Sequence, residues 1–427
     1  MSRYSDIHRH PMMTSVVREN PTLQMTDYFF LTSFFLLLFW ALDPFRVALD
    51  SIPVIKRVPS VLLGLNFMFI VVARLLFKDR RRYLPASQVI WETRWLVLFG
   101  LFVVGGSAYA RFVSHIDETF LTFGTYVFMA PLMYWYVVNS AAPFKLLRAI
   151  AYLFLGWGAV AAVVQLMEFR KLEAFHAREH LAWPILAMFF YGLPYRWGIW
   201  LGSLLIVVVA AAAAKNTAYM VALLALGYMF GLRLWFHLKQ QKDGFLRVMT
   251  VAGVAVLLAV IAAGLGLIYW KFKNDLPTGN PEYRLHTYQM AWEKFLSSPI
   301  WGVGFTQEAV HLFDQFEVAA ATQNLPTHSD PLDMLANGGL IGFGLWLAGI
   351  LPVFWVGLVR VGVRCRELNW RDALVAHTFW VMSVAGVLVC TFNPIYNLPN
   401  LAMATWMQFG CLLACNRLCR QALVSRG

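Results

Sequence analysis

Arg284, Thr287 and Tyr288 stand together in a stretch opened by Asn280-Pro281-Glu282. Asn is a favourable N-cap, Pro suits the first helical position, and an early Glu complements the positive end of a helix. These residues predict a helix that runs to about Ser298, before Pro299, with Leu285, Tyr288, Trp292, Phe295 and Leu296 recurring at helical spacing. An Arg near the first turn adds its fork of donors to free backbone N–H groups. That combination suits a phosphate or diphosphate. The plainer reading is a solvated Arg, or a partner for Glu282.

A second group is Thr327-His328-Ser329-Asp330-Pro331. Asp330-Pro331 is another N-cap and first-turn pair, opening a short helix that Asn337-Gly338-Gly339 stops. His328, just before it, carries an imidazole that can take a proton near neutral pH. A lone loop His is also often merely exposed. Lys215 is the third candidate, interrupting an apolar run between Ala214 and Asn216. A charge there is functional or paired, or else it snorkels to the interface. Weaker signals are His176 and His180, at the i, i+4 spacing of a metal pair but without an evident third ligand, so that a charged interfacial helix is the favoured reading. Asp43 precedes Pro44 and reads as a local cap or kink partner. Gly302-Val303-Gly304 is too short for a nucleotide loop, and Gly338, Gly339, Gly342 and Gly344 suit close helix packing. Cys411, Cys415 and Cys419 share a helix face and read as packing residues.

The elements that must position these residues are membrane helices. Charged residues make up 14% of the 427, where about 25% is usual for a soluble chain. Disordered chains, disulfide scaffolds and ordinary soluble enzymes are excluded. Twelve apolar runs are expected to cross a bilayer: 28–47, 58–77, 95–111, 119–139, 149–167, 182–195, 197–214, 216–236, 248–270, 338–359, 373–392 and 399–416. The run 182–195 is the weakest, being short and holding Pro184, Gly192 and Pro194; the parity of crossings on both sides requires it. With both termini in the cytoplasm, 22 Lys and Arg fall on the cytoplasmic side, 11 outside and two within spans. That bias selects this orientation. The net charge of +12 is then mostly a topology signal and does not point to nucleic acid. The chain divides into a membrane domain over 1–270, a long outer loop over 271–337 and a second membrane domain over 338–427.

Taken as a set, Arg284-x3-Tyr288-x3-Trp292, Ser298-Pro299-Ile300-x-Gly302-Val303-Gly304 and His328-Ser329-x2-Leu332-x2-Leu335-x2-Gly338-Gly339-x2-Gly342 resemble the shared region of the O-antigen ligase/polymerase superfamily. The layout of spans and loop is most similar to the lipopolysaccharide O-antigen ligases. The resemblance implies an all-α polytopic protein of about twelve transmembrane helices on a C-type glycosyltransferase fold, in the bacterial inner membrane, with the loop in the periplasm. It implies transfer of a glycan from undecaprenyl diphosphate to a sugar hydroxyl of lipid A–core, inverting and metal-independent, with no cofactor. It maps the family's key Arg and His onto Arg284 and His328, and an outer basic residue, usually Arg, onto Lys215. Lys keeps the charge but loses bidentate geometry. Ser329 stands where Asn is usual. In this reading Arg284 and Lys215 meet the diphosphate, His328 is the base, and Tyr288 and Asp330 support them. The rivals are a polymerase of the same superfamily, which differs in acceptor, and a lipid-linked glycan flippase. A flippase would need ionisable groups near mid-membrane and related halves, and the sequence shows only Asp43 and no repeat.

Overall fold

The computed structural model describes residues 23–40, 84–114, 126–167, 179–192, 196–213, 216–240, 280–305, 317–318, 321–322, 327, 329–357, 368, 370–392, 395–396 and 399–424. The expected spans 58–77 and 248–270, together with Asp43, His176, Lys215 and His328, lie outside the described residues.

The fold is all-helical, and its apolar helices make it a multi-pass membrane protein. The helices are α1 (Met25–Trp40), α2 (Ala86–Glu92), α3 (Arg94–Ser114), α4 (Met129–Val138), α5 (Pro143–Met167), α6 (Glu179–Gly192), α7 (Arg196–Ala213), α8 (Asn216–Gln240), α9 (Asn280–Ser297), α10 (Asp330–Gly357), α11 (Trp370–Phe392) and α12 (Pro399–Val424). Helices satisfy every backbone polar group internally, which a bilayer demands. By length and composition, residues 330–352 and 371–392 can each cross a membrane, and α2 with the start of α3, bent by 83°, can form a third span. Shorter apolar helices occupy Met129–Val138, Leu181–Gly192, Ile199–Val208 and Thr217–Arg233. One small departure from all-α is an antiparallel hairpin, β1 (Glu317–Val318) and β2 (Ala321–Thr322), in register Glu317↔Thr322 and Val318↔Ala321.

The weakest sequence signal, 182–195, belongs to a helix packed among four others. α6 packs against α5, α7, α8 and α11, and buries Leu181, Trp183, Ile185, Ala187, Met188 and Tyr191. Surrounded by protein, it needs no long apolar surface for lipid, and Pro184 is accommodated inside it. α7, by contrast, exposes Trp200, Leu204 and Val208, as a lipid-facing helix does.

Polar contacts fall into two sets that match alternating passage of the chain. One set joins the start of α1 and the end of α2 to the end of α4 and to α12, and the start of α5 to the start of α11. Tyr136 donates to Asp27 at 3.1 Å, Arg148 meets Asp372 at 3.5 Å, and Glu92 accepts from both Tyr134 and Arg417. The other set gathers at the opposite ends, where the long loop joins the turn between α11 and α12. Within the bundle Phe99, Trp406 and Phe409 are in ring contact.

At the head of α10 the helix breaks. Gly339 has φ 58° and ψ −161°, a region open essentially to Gly alone. The break separates a stub, 330–338, from the span that follows. It also leaves two carbonyls and two N–H groups without intrahelical partners. Residues 299–304 supply all four. Val303 N–H donates to Ala336 O at 3.0 Å, and Gly304 N–H to Asn337 O at 3.0 Å. Leu340 N–H donates to Pro299 O at 2.9 Å, and Ile341 N–H to Ile300 O at 3.2 Å. Gly302, at φ 75°, lies against Asn337 and Gly339 so closely that a Cβ on either Gly302 or Gly339 would collide with backbone. Gly302→Ala and Gly339→Ala should each cost about 1–3 kcal/mol through strain, more if the exchanged hydrogen bonds are lost. Thermal unfolding in detergent should show both variants less stable, while Gly344→Ala, in open space, should change little.

Candidate active site

α9 runs Asn280–Ser297, close to the span expected from its caps and apolar spacing. Its inner face buries Thr287, Ala291 and Phe295, and Ala291 meets Ala336 of the α10 stub with Met290 and Leu332 packed around them. Small residues on both sides let the two backbones approach. Arg284 and Tyr288 lie one turn apart and are both half-buried. Burial pushes the Tyr288 hydroxyl above its ordinary range, and Arg284 beside it pulls the other way. Tyr288 therefore stays protonated at neutral pH and offers a donor next to a fixed cation.

The segment that carries His328 is held from both sides. Thr327 and Ser329 are buried. The Thr287 hydroxyl lies 2.9 Å from the Arg284 carbonyl and 3.4 Å from the Thr327 carbonyl. It donates to one at a time, and so links the Arg284 turn to the His328 segment. The Thr327 hydroxyl donates to Asp333 Oδ1 at 2.7 Å and accepts from Ser329 N–H at 3.1 Å. Asp333 N–H in turn donates to Ser329 O at 3.0 Å, starting the helix.

Asp330 opens α10 as its sequence context predicts, and its carboxylate faces the turn between α11 and α12. Oδ2 accepts from Ile395 N–H at 2.9 Å and Tyr396 N–H at 3.2 Å, with Oδ1 3.3 Å from Tyr396 N–H. Tyr396 stacks on Trp406, with ring centroids 5.1 Å apart. Phe305, at the end of the 299–304 segment, meets Phe102 of α3 edge-on at 5.9 Å. The site is thereby fixed to α3, α11 and α12.

The structure brings together Arg284, Tyr288, Asp330 and the residues on either side of His328. It describes neither His328 itself nor Lys215. Sequence reasoning gave Thr327 no role of its own and passed over Asp333. The available signal was a second acid one turn after Asp330, in an otherwise apolar stretch.

A fixed cation and a phenol donor on one helix, against a buttressed loop on the broken head of a span, define a membrane protein with a polar site at the bundle end. A family model described as O-antigen ligase matches residues 201–347, which include every candidate named above from Lys215 to Asp333. Over this region the chain is similar to the O-antigen ligase family, the resemblance its motifs suggested. No curated protein matches the chain.

Removing the Asp330 carboxylate would leave two buried N–H groups unpaired, a loss of about 1–3 kcal/mol. Asp330→Ala should lower the unfolding temperature. It should also speed amide exchange at Ile395 and Tyr396 while leaving the amides of α4 protected.

Proposed function

We propose that the protein is an O-antigen ligase of the bacterial inner membrane, acting on its periplasmic face. It transfers a glycan from undecaprenyl diphosphate to a sugar hydroxyl of lipid A–core. Residues 271–337 form the periplasmic catalytic loop between the two membrane domains, 1–270 and 338–427, on a C-type glycosyltransferase fold. The observation that carries this reading is the Thr287–Thr327 contact, which joins the Arg284 helix to the His328 segment within the region matched to the family.

The chemistry follows from the residue types. His328 takes the proton of the acceptor hydroxyl as that oxygen attacks the anomeric carbon from the face opposite the leaving group, so configuration inverts. The bond to the diphosphate breaks, and its electrons and growing negative charge stay with the lipid diphosphate. Arg284 and Lys215 stabilise that charge more in the transition state than in the ground state. The Tyr288 phenol adds a neutral donor beside Arg284. The polyprenyl tail stays among the apolar spans, leaving diphosphate and sugar at the interface. The proposed mechanism needs no metal.

The test is transfer by purified protein, with lipid A–core and a lipid-linked repeat supplied in separate assays. Product on lipid A–core supports the ligase, and extension of the lipid-linked repeat alone makes the protein a polymerase. His328→Ala should lower kcat by about 10²–10⁴-fold, and Arg284→Ala should abolish transfer. Lys215→Ala should lower kcat, and Lys215→Arg should recover it. Chelator should leave the rate unchanged; inhibition reversed by one divalent metal would reopen the His176 and His180 pair.

A further inference from the structure

α9 carries three edges of different chemistry. Thr287, Ala291 and Phe295 are buried, and α10 is a helix that α9 packs against. Leu285, Trp292 and Leu296 fall at i, i+7 and i+11, which places them within about 40° of one another around the helix. All three are exposed, at 62%, 49% and 58%. Gln289 and Glu293 follow on the far side of that edge, exposed and hydrogen-bonded to each other at 3.1 Å. Large apolar side chains aligned along an exposed edge mark a surface made to be covered.

The chain that continues this edge shows what covers it. Ile300 is exposed, and its carbonyl accepts from Ile341 N–H at 3.2 Å, while Pro299 O accepts from Leu340 N–H at 2.9 Å. Leu340 is exposed at the head of the α10 span, and Leu351, eleven residues on, is exposed on the same face. Residues 330–352 are apolar and long enough to cross a membrane, so that face meets lipid. Through Ile300 the apolar edge of α9 is continuous with it.

We propose that the bilayer itself occupies this edge. α9 lies along the membrane surface, with Leu285, Trp292 and Leu296 in the boundary between headgroups and acyl chains and Gln289 and Glu293 toward water. Interfacial amphipathic helices seat this way, and Trp is favoured at that depth. Held by α10 on one side and by lipid on the other, α9 sets the depth of the site. Arg284, next to Leu285 in the chain, is kept near the level of the lipid phosphates. The seating serves a ligase and a polymerase alike, so its test is separate from that of the reaction.

The experiment uses the full-length protein in vesicles of phosphatidylethanolamine and phosphatidylglycerol. A photoreactive benzoylphenylalanine is placed singly at Leu285, Trp292 or Leu296, at Gln289 or Glu293, and at Leu351. Irradiation should add the mass of a lipid at the three edge positions and at Leu351, and several-fold less at Gln289 and Glu293. Equal labelling on both sides of α9, or labelling at Leu351 with none at the edge, overturns the seating. So does an edge that crosslinks to a second copy of the chain in place of lipid. Absence of lipid at Leu351 removes the surface that the edge continues, and the seating falls with it. A second measurement needs only Trp292→Phe. The fluorescence that this substitution removes should be quenched more by lipids brominated near the headgroup than by lipids brominated near the chain end. Emission that bromolipids leave untouched and aqueous iodide quenches would overturn the seating even if the photoreactive variants fail to fold.

Discussion

The break at Gly339 is the constraint on which the rest of the site depends. A span entering a bilayer cannot leave backbone groups unpaired, because no water is there to satisfy them. Here the helix is interrupted near the head of such a span, and the lost bonds are replaced one for one by residues 299–304. The exchange fixes the end of α9 to the head of α10. It also sets the tilt of the stub that carries Asp330 and Asp333. Two glycines back to back make the approach possible, since a Cβ on either would meet backbone. The rigidity of the site is thus a backbone property, anchored below the level of any catalytic side chain.

From that anchor, polar contacts spread outward in a short chain. Asp330 reaches across to the turn between α11 and α12, Thr287 reaches Thr327, and Thr327 reaches Asp333. Phe305 and Tyr396 close the surroundings with aromatic contacts to Phe102 and Trp406. These links come from four separated parts of the chain. On the proposed function, the tail of a lipid-linked substrate would lie among apolar spans while its charged head meets groups at the bundle end. A cation held in place needs no reorganisation as charge develops on a leaving diphosphate.

The two acids at the head of α10 show how little local sequence says about a carboxylate's role. Both sit in the first turn, both complement the helix dipole, and both are buried. One is consumed by backbone N–H groups 65 and 66 residues away in sequence. The other keeps an oxygen with no partner among the described residues. Their difference lies in what packs against each one.

By itself the sequence determined the apolar helical architecture, the extent of α9 and the start of α10 at Asp330, because these follow from composition, periodicity and caps. It also singled out the Arg284, His328 and glycine motifs, which lie within the region matched to the family model. It drew α6 as the least convincing span, because a helix enclosed by others need not carry a long lipid-facing surface. Only the tertiary structure decided why Gly302 and Gly339 must be glycine, since each answers to a backbone more than thirty residues away in the chain. It alone separated Asp330 from Asp333, and tied Arg284 to the segment around His328 through two threonines. Hydrogen-bond partners distant in the chain leave no periodic signal, so they become visible only when the helices are brought together.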